Sequence, residues 1–149
     1  MNTILVCLDT SASASRVLDE VKKLAQRLQS GIALFHVVEP VAAYVPVGAS
    51  MDVIATAPPL AEEDQTGLAK QRLEGLAAPL RGLGLDVTCD AALGMAVDEI
   101  VDRAQMLHVD FIVLGSHGHG ALFHLFSGSV VNGVLKRSPI PVLVVPVRD

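Results

Sequence analysis

The stretch VDFIVLGSHGHGALFHLFSGSVV, residues 109–131, carries both the strongest fold signal and the main candidate site of this chain. Its first part, FIVLG at 111–115, is apolar at nearly every position, which is typical of a strand covered on both faces in a parallel sheet. From Gly128 onward a helical pattern begins. Glycines and three histidines lie between, so a buried strand is followed by a glycine-rich segment and then a helix.

Three other apolar runs resemble the strand at 111–115. They are ILVCL at 4–8, IALFHVV at 32–38 and IPVLVVPV at 140–147. A fifth segment, LDVTCDA at 85–91, alternates apolar with polar residues and therefore predicts a strand with one face in solvent, as at the edge of a sheet.

Helical patterns separate the predicted strands, over 15–31, 61–84, 96–108 and 128–137. Gly31 is expected to cap the first helix, and Pro79 to kink the second or end it early. Strict alternation of strands and helices predicts an α/β fold with helices on both faces of the sheet. A length of 149 residues predicts one domain, 1–149.

Charge and composition exclude several classes of partner. The net charge is −5, no block of Lys or Arg occurs, and aromatic residues make up 3% of the chain, which argues against nucleic acid. The apolar runs are far shorter than the ~20 residues that span a bilayer, so no membrane insertion is expected. Without a signal-peptide pattern, and with Cys7 and Cys89 read as reduced core thiols, the chain is expected to be cytoplasmic.

The glycine cluster has the pattern G-x-x-G-x9-G-S, formed by Gly115, Gly118, Gly128 and Ser129. Glycines at this point allow the backbone to approach a ligand closely, and free N–H groups at a helix start attract an anion such as a phosphate chain. The pattern differs from the dinucleotide and P-loop motifs. Two interpretations stay open: a phosphate cradle, or an ordinary glycine-rich turn in which Ser129 caps its own helix.

Other polar residues supply few candidates for chemistry. Asp9 comes just past the first strand, where it is expected to accept hydrogen bonds from a ribose or an adenine edge. An Asx turn or an N-cap for the following helix is the structural alternative, and the two roles are compatible. His117, His119 and His124 lack metal-ligand spacing, and no catalytic triad or nucleophile elbow is present. No catalytic residue and no metal-binding residue is therefore predicted.

Residues 39–64 interrupt the regular alternation. This segment contains four prolines and many small apolar residues, so no regular element is predicted there. It leaves the second strand at the carboxyl edge of the sheet. A lid, a contact with a protein partner and a plain connection remain alternatives.

Taken together, ILVCLDTS, HVVEP, VDFIVLGSHGHG with SGSV, and SPIPVLVVP resemble the universal stress protein family along the whole chain. The resemblance implies a Rossmann-like, adenine nucleotide alpha hydrolase-like fold, with a five-stranded parallel sheet in the order 3-2-1-4-5. The G-x-x-G-x9-G-S/T pattern marks the family members that bind ATP. The expected ligand is therefore ATP or another adenine nucleotide, with any Mg²⁺ carried by the phosphates.

The resemblance also implies roles for individual residues. Asp9 contacts the ribose and adenine side, and the backbone of Val37 meets the adenine. The ribose and phosphates are wrapped by Gly115, Gly118, Gly128, Ser129 and Val130. Two departures concern the base region: Cys7 stands where relatives often have Pro, and Met95-Ala96 follows Gly94 where Gly-x-Pro is usual.

Family members dimerise through the last strand, so the resemblance implies a homodimer through residues 140–147. The leading function is a stress-response module that binds ATP and signals through its bound state, with slow or no turnover because no general base is visible. Two alternatives stay open. One is a protein-interaction or chaperone-like module that uses the 39–64 loop without nucleotide, and the other is a slow ATPase that uses His117 or His119.

Overall fold

The computed structural model describes residues 2–9, 13–40, 61–116 and 129–147. Within these ranges five strands alternate with four helices, as the sequence predicted. The strands are β1 (Thr3–Cys7), β2 (Gly31–Val38), β3 (Val87–Leu93), β4 (Phe111–Gly115) and β5 (Val142–Val145). The helices are α1 (Ala14–Leu28), α2 (Glu62–Gly82), α3 (Ala96–Met106) and α4 (Ser129–Arg137).

The strands form one parallel sheet in the order β3-β2-β1-β4-β5, which confirms the expected topology. β1 lies at the centre, with Val6 level with Leu34 of β2 and with Val113 of β4. The chain builds β2 and β3 on one side of β1 and then crosses to build β4 and β5 on the other. The strand order therefore reverses between β1 and β4.

Alternate residues of each central strand enter two separate hydrophobic clusters, one on each face. Val6 and Leu34 pack with Val17 and Val21 of α1 and with Leu73 of α2. On the opposite face, the neighbouring strand residues pack against α3 and α4; this cluster includes Leu5, Phe35, Ile100, Val134 and Leu114. Helices thus cover both faces, which is why the central strands are apolar throughout.

The first helix ends before the glycine that was expected to cap it. Gln29 adopts the left-handed conformation with φ 51°, and the N–H of Ser30 donates to Ala25 O at 3.1 Å. Gly31 already belongs to β2, and its N–H donates to Asn2 O at 2.9 Å. The predicted cap at Gly31 is wrong because the sheet ladder needs that N–H.

The second helix continues through Pro79 to Gly82, so the predicted early end is wrong. Proline removes one helical hydrogen bond, which costs stability but is compensated here by burial. Ala77 and Leu80, on either side of Pro79, are 0% and 6% exposed and pack in the core. The core contacts of this last turn hold the helix together.

β3 is an edge strand, as its alternating pattern predicted. Val87 and Cys89 are buried whereas Thr88 is exposed. Cys7 lies on β1, with β2 between it and Cys89, and both cysteines are free.

Candidate functional site

The candidate site is the crevice at the carboxyl edge of the sheet, where β1 and β4 lie side by side and their outgoing connections run in opposite directions. Ligands of open α/β sheets bind at such a reversal of strand order. Cys7 is level with Leu114 in the β1–β4 register. Gly115 is the last residue of β4, and Asp9 lies two residues beyond the end of β1, so they lie on opposite sides of this crevice.

Asp9 is joined to the first turn of α1. Its carboxylate Oδ1 accepts a hydrogen bond from Ser13 Oγ at 3.3 Å. Ser13, not Asp9, occupies the N-cap position, so the interpretation of Asp9 as the cap of this helix is wrong. The Asx-turn alternative involves residues 10–12, which lie outside the described residues.

On the β2 side, hydrogen bonds hold Leu8, the residue directly after β1, in place. Leu8 N–H donates to Phe35 O at 3.0 Å, and His36 Nδ1 lies 2.6 Å from Leu8 O. Because Leu8 O is an acceptor, His36 donates through Nδ1. This histidine therefore ties two strand ends together, which is a structural role.

An apolar wall lies on the face of the crevice that α3 and α4 cover. Val37 is two residues past the pair formed by Cys7 and Phe35, so it is level with Asp9. Cys7, Val37 and Ala92 are half-buried and pack against the same cluster. Burial raises the pKa of the Cys7 thiol far above its ordinary value, so the thiol is neutral.

The turn into α3 brings two carboxylates to this edge, and sequence reasoning did not single them out. Glu39 Oε1 accepts a hydrogen bond from Ala96 N–H at 3.3 Å, at the start of α3. Glu99 fills the space beside Gly94, where an added Cβ would lie 2.7 Å from its Oε1. The signal for Glu39 was its position directly after β2. Its carboxylate supplies the negative charge that a helix N-terminus favours.

On the β4 side, Ser116 fastens the end of the sheet. Its backbone N–H donates to Val145 O at 2.9 Å, and its Oγ accepts from Val147 N–H at 2.9 Å. Sequence reasoning missed this residue, although a hydroxyl directly after a strand is a common partner of strand-end amides. These bonds hold the end of β4, where Gly115 lies, against β5.

The remaining predicted site residues belong to the connection after β4. Gly118 and Gly128 lie outside the described residues. Ser129 is the first residue of α4, and Val130 is half-buried against the cluster on the α3 and α4 face. Because β4 and β5 are parallel, α4 begins at the same edge of the sheet as Asp9.

Within the ranges that the structure describes, no group of three His, Cys, Asp or Glu side chains is arranged to hold a metal ion. Among the same residues, no helix combines the length and apolar character needed to cross a bilayer.

Comparison with known proteins identifies the family. Residues 1–146 match the family described as the Universal stress protein family. The chain belongs to the universal stress protein family. A universal stress protein of Thermus aquaticus is 32% identical over 149 residues, covering 96% of this chain and 97% of that relative. Universal stress protein MJ0577 of Methanocaldococcus jannaschii is 39% identical over 77 residues, which span 52% of this chain and only 48% of that protein.

Solved structures of this family share the fold. The structure of MJ0577 superposes with a TM-score of 0.78 at 29% identity, covering 99% of this chain and 97% of that one. A universal stress protein in complex with cAMP has a TM-score of 0.65 at 21% identity, covering 97% and 95%. One from Archaeoglobus fulgidus in complex with dAMP has a TM-score of 0.64 at 22% identity, covering 97% of each chain.

Proposed function

We propose that this universal stress protein binds ATP, or another adenine nucleotide, in the crevice between β1 and β4 and serves as a regulatory or signalling module of the stress response. The observation that carries the proposal is the meeting of Asp9, Val37 and Gly115 at the reversal of strand order. Open α/β sheets bind their ligands at such a reversal, and three of the predicted contact residues lie at this edge.

The described parts of the crevice suit the three parts of an adenine nucleotide. The half-buried wall of Cys7, Val37 and Ala92 offers an apolar surface for the base. The Asp9 carboxylate is an acceptor for ribose hydroxyls. The phosphates are assigned to the start of α4, at Ser129 and Val130, together with Gly115, Gly118 and Gly128.

The choice of α4 for the phosphates follows from the charges at the two neighbouring helix starts. α3 begins with Glu39 already bonded to its first N–H, and Asp98 and Glu99 lie in its first turn. α4 has no acidic residue in its first turn. A triphosphate is repelled from the first helix start and attracted to the second.

Relatives with bound ligands support the ligand class at the level of the fold. Two proteins with this fold were solved with cAMP and with dAMP. At 21% and 22% identity they indicate that the fold accommodates an adenine nucleotide, and no residue role is transferred from them. Among nucleotides, the choice of ATP rests on the glycine motif of this chain.

Little or no ATP hydrolysis is part of the proposal. At this edge the Asp9 carboxylate accepts a bond from Ser13, His36 Nδ1 is bonded to Leu8 O, and Glu39 accepts from Ala96 N–H. Because each already has a protein partner, we expect none of them to serve as a general base for an attacking water. Mg²⁺ is expected to arrive with the phosphates, whose oxygens are its usual ligands.

Equilibrium dialysis with ATP and Mg²⁺ tests the proposal. Gly128→Ala/Ser129→Ala is expected to weaken binding by about tenfold to a hundredfold, because lost hydrogen bonds to charged oxygens cost roughly 1.5–3 kcal/mol. The matched control is Gly75→Ala, a glycine on α2 with no atom within 4 Å of an added Cβ. It should bind ATP as the wild type does. Equal, weak uptake by all three proteins contradicts the proposal.

We also propose that this protein is a cytoplasmic, single-domain homodimer that pairs through β5. The carbonyl oxygens of Pro141 and Val145 accept hydrogen bonds from the β4 side. Hydrogen-bonding direction alternates along a strand, so the backbone groups of Val142 and Val144 point outward. In the described part of the chain these groups have no partner, and Leu143 beside them is 41% exposed. Such an edge is suited to pairing with a second copy.

The proline-rich segment 39–64 remains a proposed contact for a protein partner. It leaves β2 at the same edge as the proposed nucleotide, so a partner bound there would be able to sense whether the crevice is filled.

A further inference from the structure

The two edges of the sheet are not equivalent. The β5 edge has open backbone groups beside the exposed Leu143, whereas the β3 edge carries charged side chains bonded to its backbone. An unprotected strand edge is a template for pairing with another chain. The difference between the two edges bears on why pairing through β5 would stop at two copies.

The outward groups of β3 follow from its bonds to β2. Ile32 N–H donates to Asp86 O at 2.8 Å, and Gly94 N–H donates to Val38 O at 3.0 Å. Even-numbered residues of β3 therefore direct their backbone groups toward β2. The odd-numbered residues, from Val87 onward, direct theirs toward the open edge.

At the start of β3, Arg81 closes this edge. Its Nε donates to Val87 O at 2.8 Å, an outward carbonyl. Glu74, two turns earlier on α2, accepts a 2.5 Å hydrogen bond from Arg81 Nη1 and so holds the guanidinium. Nη2 lies 3.9 Å from Cys89 Sγ, so the guanidinium extends along the strand.

Farther along β3, Asp90 occupies an outward donor, whereas Arg81 occupies an outward acceptor. Its Oδ1 accepts a hydrogen bond from Ala91 N–H at 2.9 Å, an outward amide. Its Oδ2 accepts from Arg103 of α3, whose guanidinium lies 4.9 Å from the centre of the Phe35 ring. Each closing side chain is thus held by an ion pair with a helix residue.

We propose that Arg81 and Asp90 act together as an edge clasp that blocks strand addition at β3, so that a second copy of this chain is accepted only at β5. Arg81 occupies an outward acceptor at Val87, and Asp90 occupies an outward donor at Ala91. These are the first and fifth residues of a strand of seven residues, so the two contacts interrupt a ladder along most of its length. The clasp leaves β5 as the edge that is open to a second copy. Association through one edge closes at a pair, whereas two open edges would allow open-ended growth.

The inference rests on the proposed pairing through β5 in one respect, because that pairing sets the expected size of the wild-type assembly. The blocking of β3 does not depend on it. The test is the molar mass in solution, measured by light scattering over a wide range of protein concentration. Arg81→Met/Asp90→Ala is expected to associate beyond the wild-type mass, and to grow with concentration. Arg72→Ala, which removes a charge from the exposed side of the same helix, should keep the wild-type mass.

The outcomes separate the two proposals. A monomeric wild type contradicts pairing through β5, yet a double variant that then forms pairs still supports the clasp. A folded double variant with the wild-type mass at every concentration overturns the clasp.

A second measurement covers the case in which the double variant does not fold. Hydrogen exchange of the Ala91 amide is compared in Asp90→Ala and Asp90→Asn, because Asn keeps an oxygen acceptor. Faster exchange in Asp90→Ala alone supports the bond that the Ala91 amide donates to Asp90, and equal exchange in both variants and the wild type overturns it.

Discussion

Cys7 and Cys89 differ in their surroundings but share one consequence of burial. Cys7 packs on the face covered by α3 and α4, and Cys89 on the face covered by α1 and α2. Burial raises the pKa of the Cys7 thiol and raises the pKa of Cys89 from 9.0 to about 11. The thiolate is the reactive form, so both residues are inert at neutral pH.

We expect a thiol-reactive disulfide reagent to modify the native protein only as fast as the protein opens. Modification should become rapid in denaturant, where both thiols recover their ordinary pKa. The single variants Cys7→Ser and Cys89→Ser assign the two rates. Rapid, stoichiometric modification of either thiol in the native protein would contradict this prediction. ATP binds the native state and disfavours its opening, so it should slow the modification of both thiols.

Helix packing depends on one close approach between α3 and α4. A Cβ added at Gly133 would lie 2.6 Å from Val97 Cγ2 and 3.2 Å from its Cγ1. Gly133→Ala is therefore expected to lower the free energy of unfolding by roughly 1–3 kcal/mol, since overpacking outweighs the better helix propensity of alanine. Chemical denaturation followed by circular dichroism measures the change.

Gly75→Ala is the matched control for this change, because open space surrounds Gly75 on α2. It should raise the free energy of unfolding by about 0.5–1 kcal/mol. The double variant Gly133→Ala/Val97→Ala should recover part of the loss. If Gly133→Ala alone is as stable as the wild type, the close approach of α3 and α4 is wrong.

At the level of elements, the hydrophobic pattern predicted the type of each strand and helix in the described ranges, and their order along the chain, because burial on one or both faces dictates which residues are apolar. The ends of elements were less predictable. Gly31 and Pro79 are local signals for the end of a helix, and both were overridden by non-local contacts. Gly31 pairs with β1 in the sheet, and burial of Ala77 and Leu80 stabilises the last turn of α2 beyond Pro79.

At the level of the whole molecule, the sheet order brings together residues that are far apart in sequence. Asp9, Val37 and Gly115 were predicted individually, and strand register makes them neighbours of one crevice. Glu39 and Ser116 were missed because their partners, Ala96 and Val147, are set by three-dimensional packing. A single sequence gives no pattern for such pairs.

The proposed homodimer depends on the exposed edge of β5, where Leu143 lies. Leu143→Lys places a charge on the exposed apolar side chain of β5, where the two copies would bring like charges together. We expect the variant to be monomeric at concentrations where the wild type is a pair, with dimer affinity weakened by at least about tenfold.

Leu83→Lys serves as the control, since Leu83 is 57% exposed at the end of α2, away from β5. It should leave the wild-type mass unchanged in sedimentation equilibrium. A Leu143→Lys variant that still sediments as a pair would move the interface away from β5. Because the crevice lies between β1 and β4, with β5 adjacent only to β4, the monomeric variant should also keep a measurable affinity for ATP. Loss of both properties together would instead indicate that the nucleotide site needs the second copy.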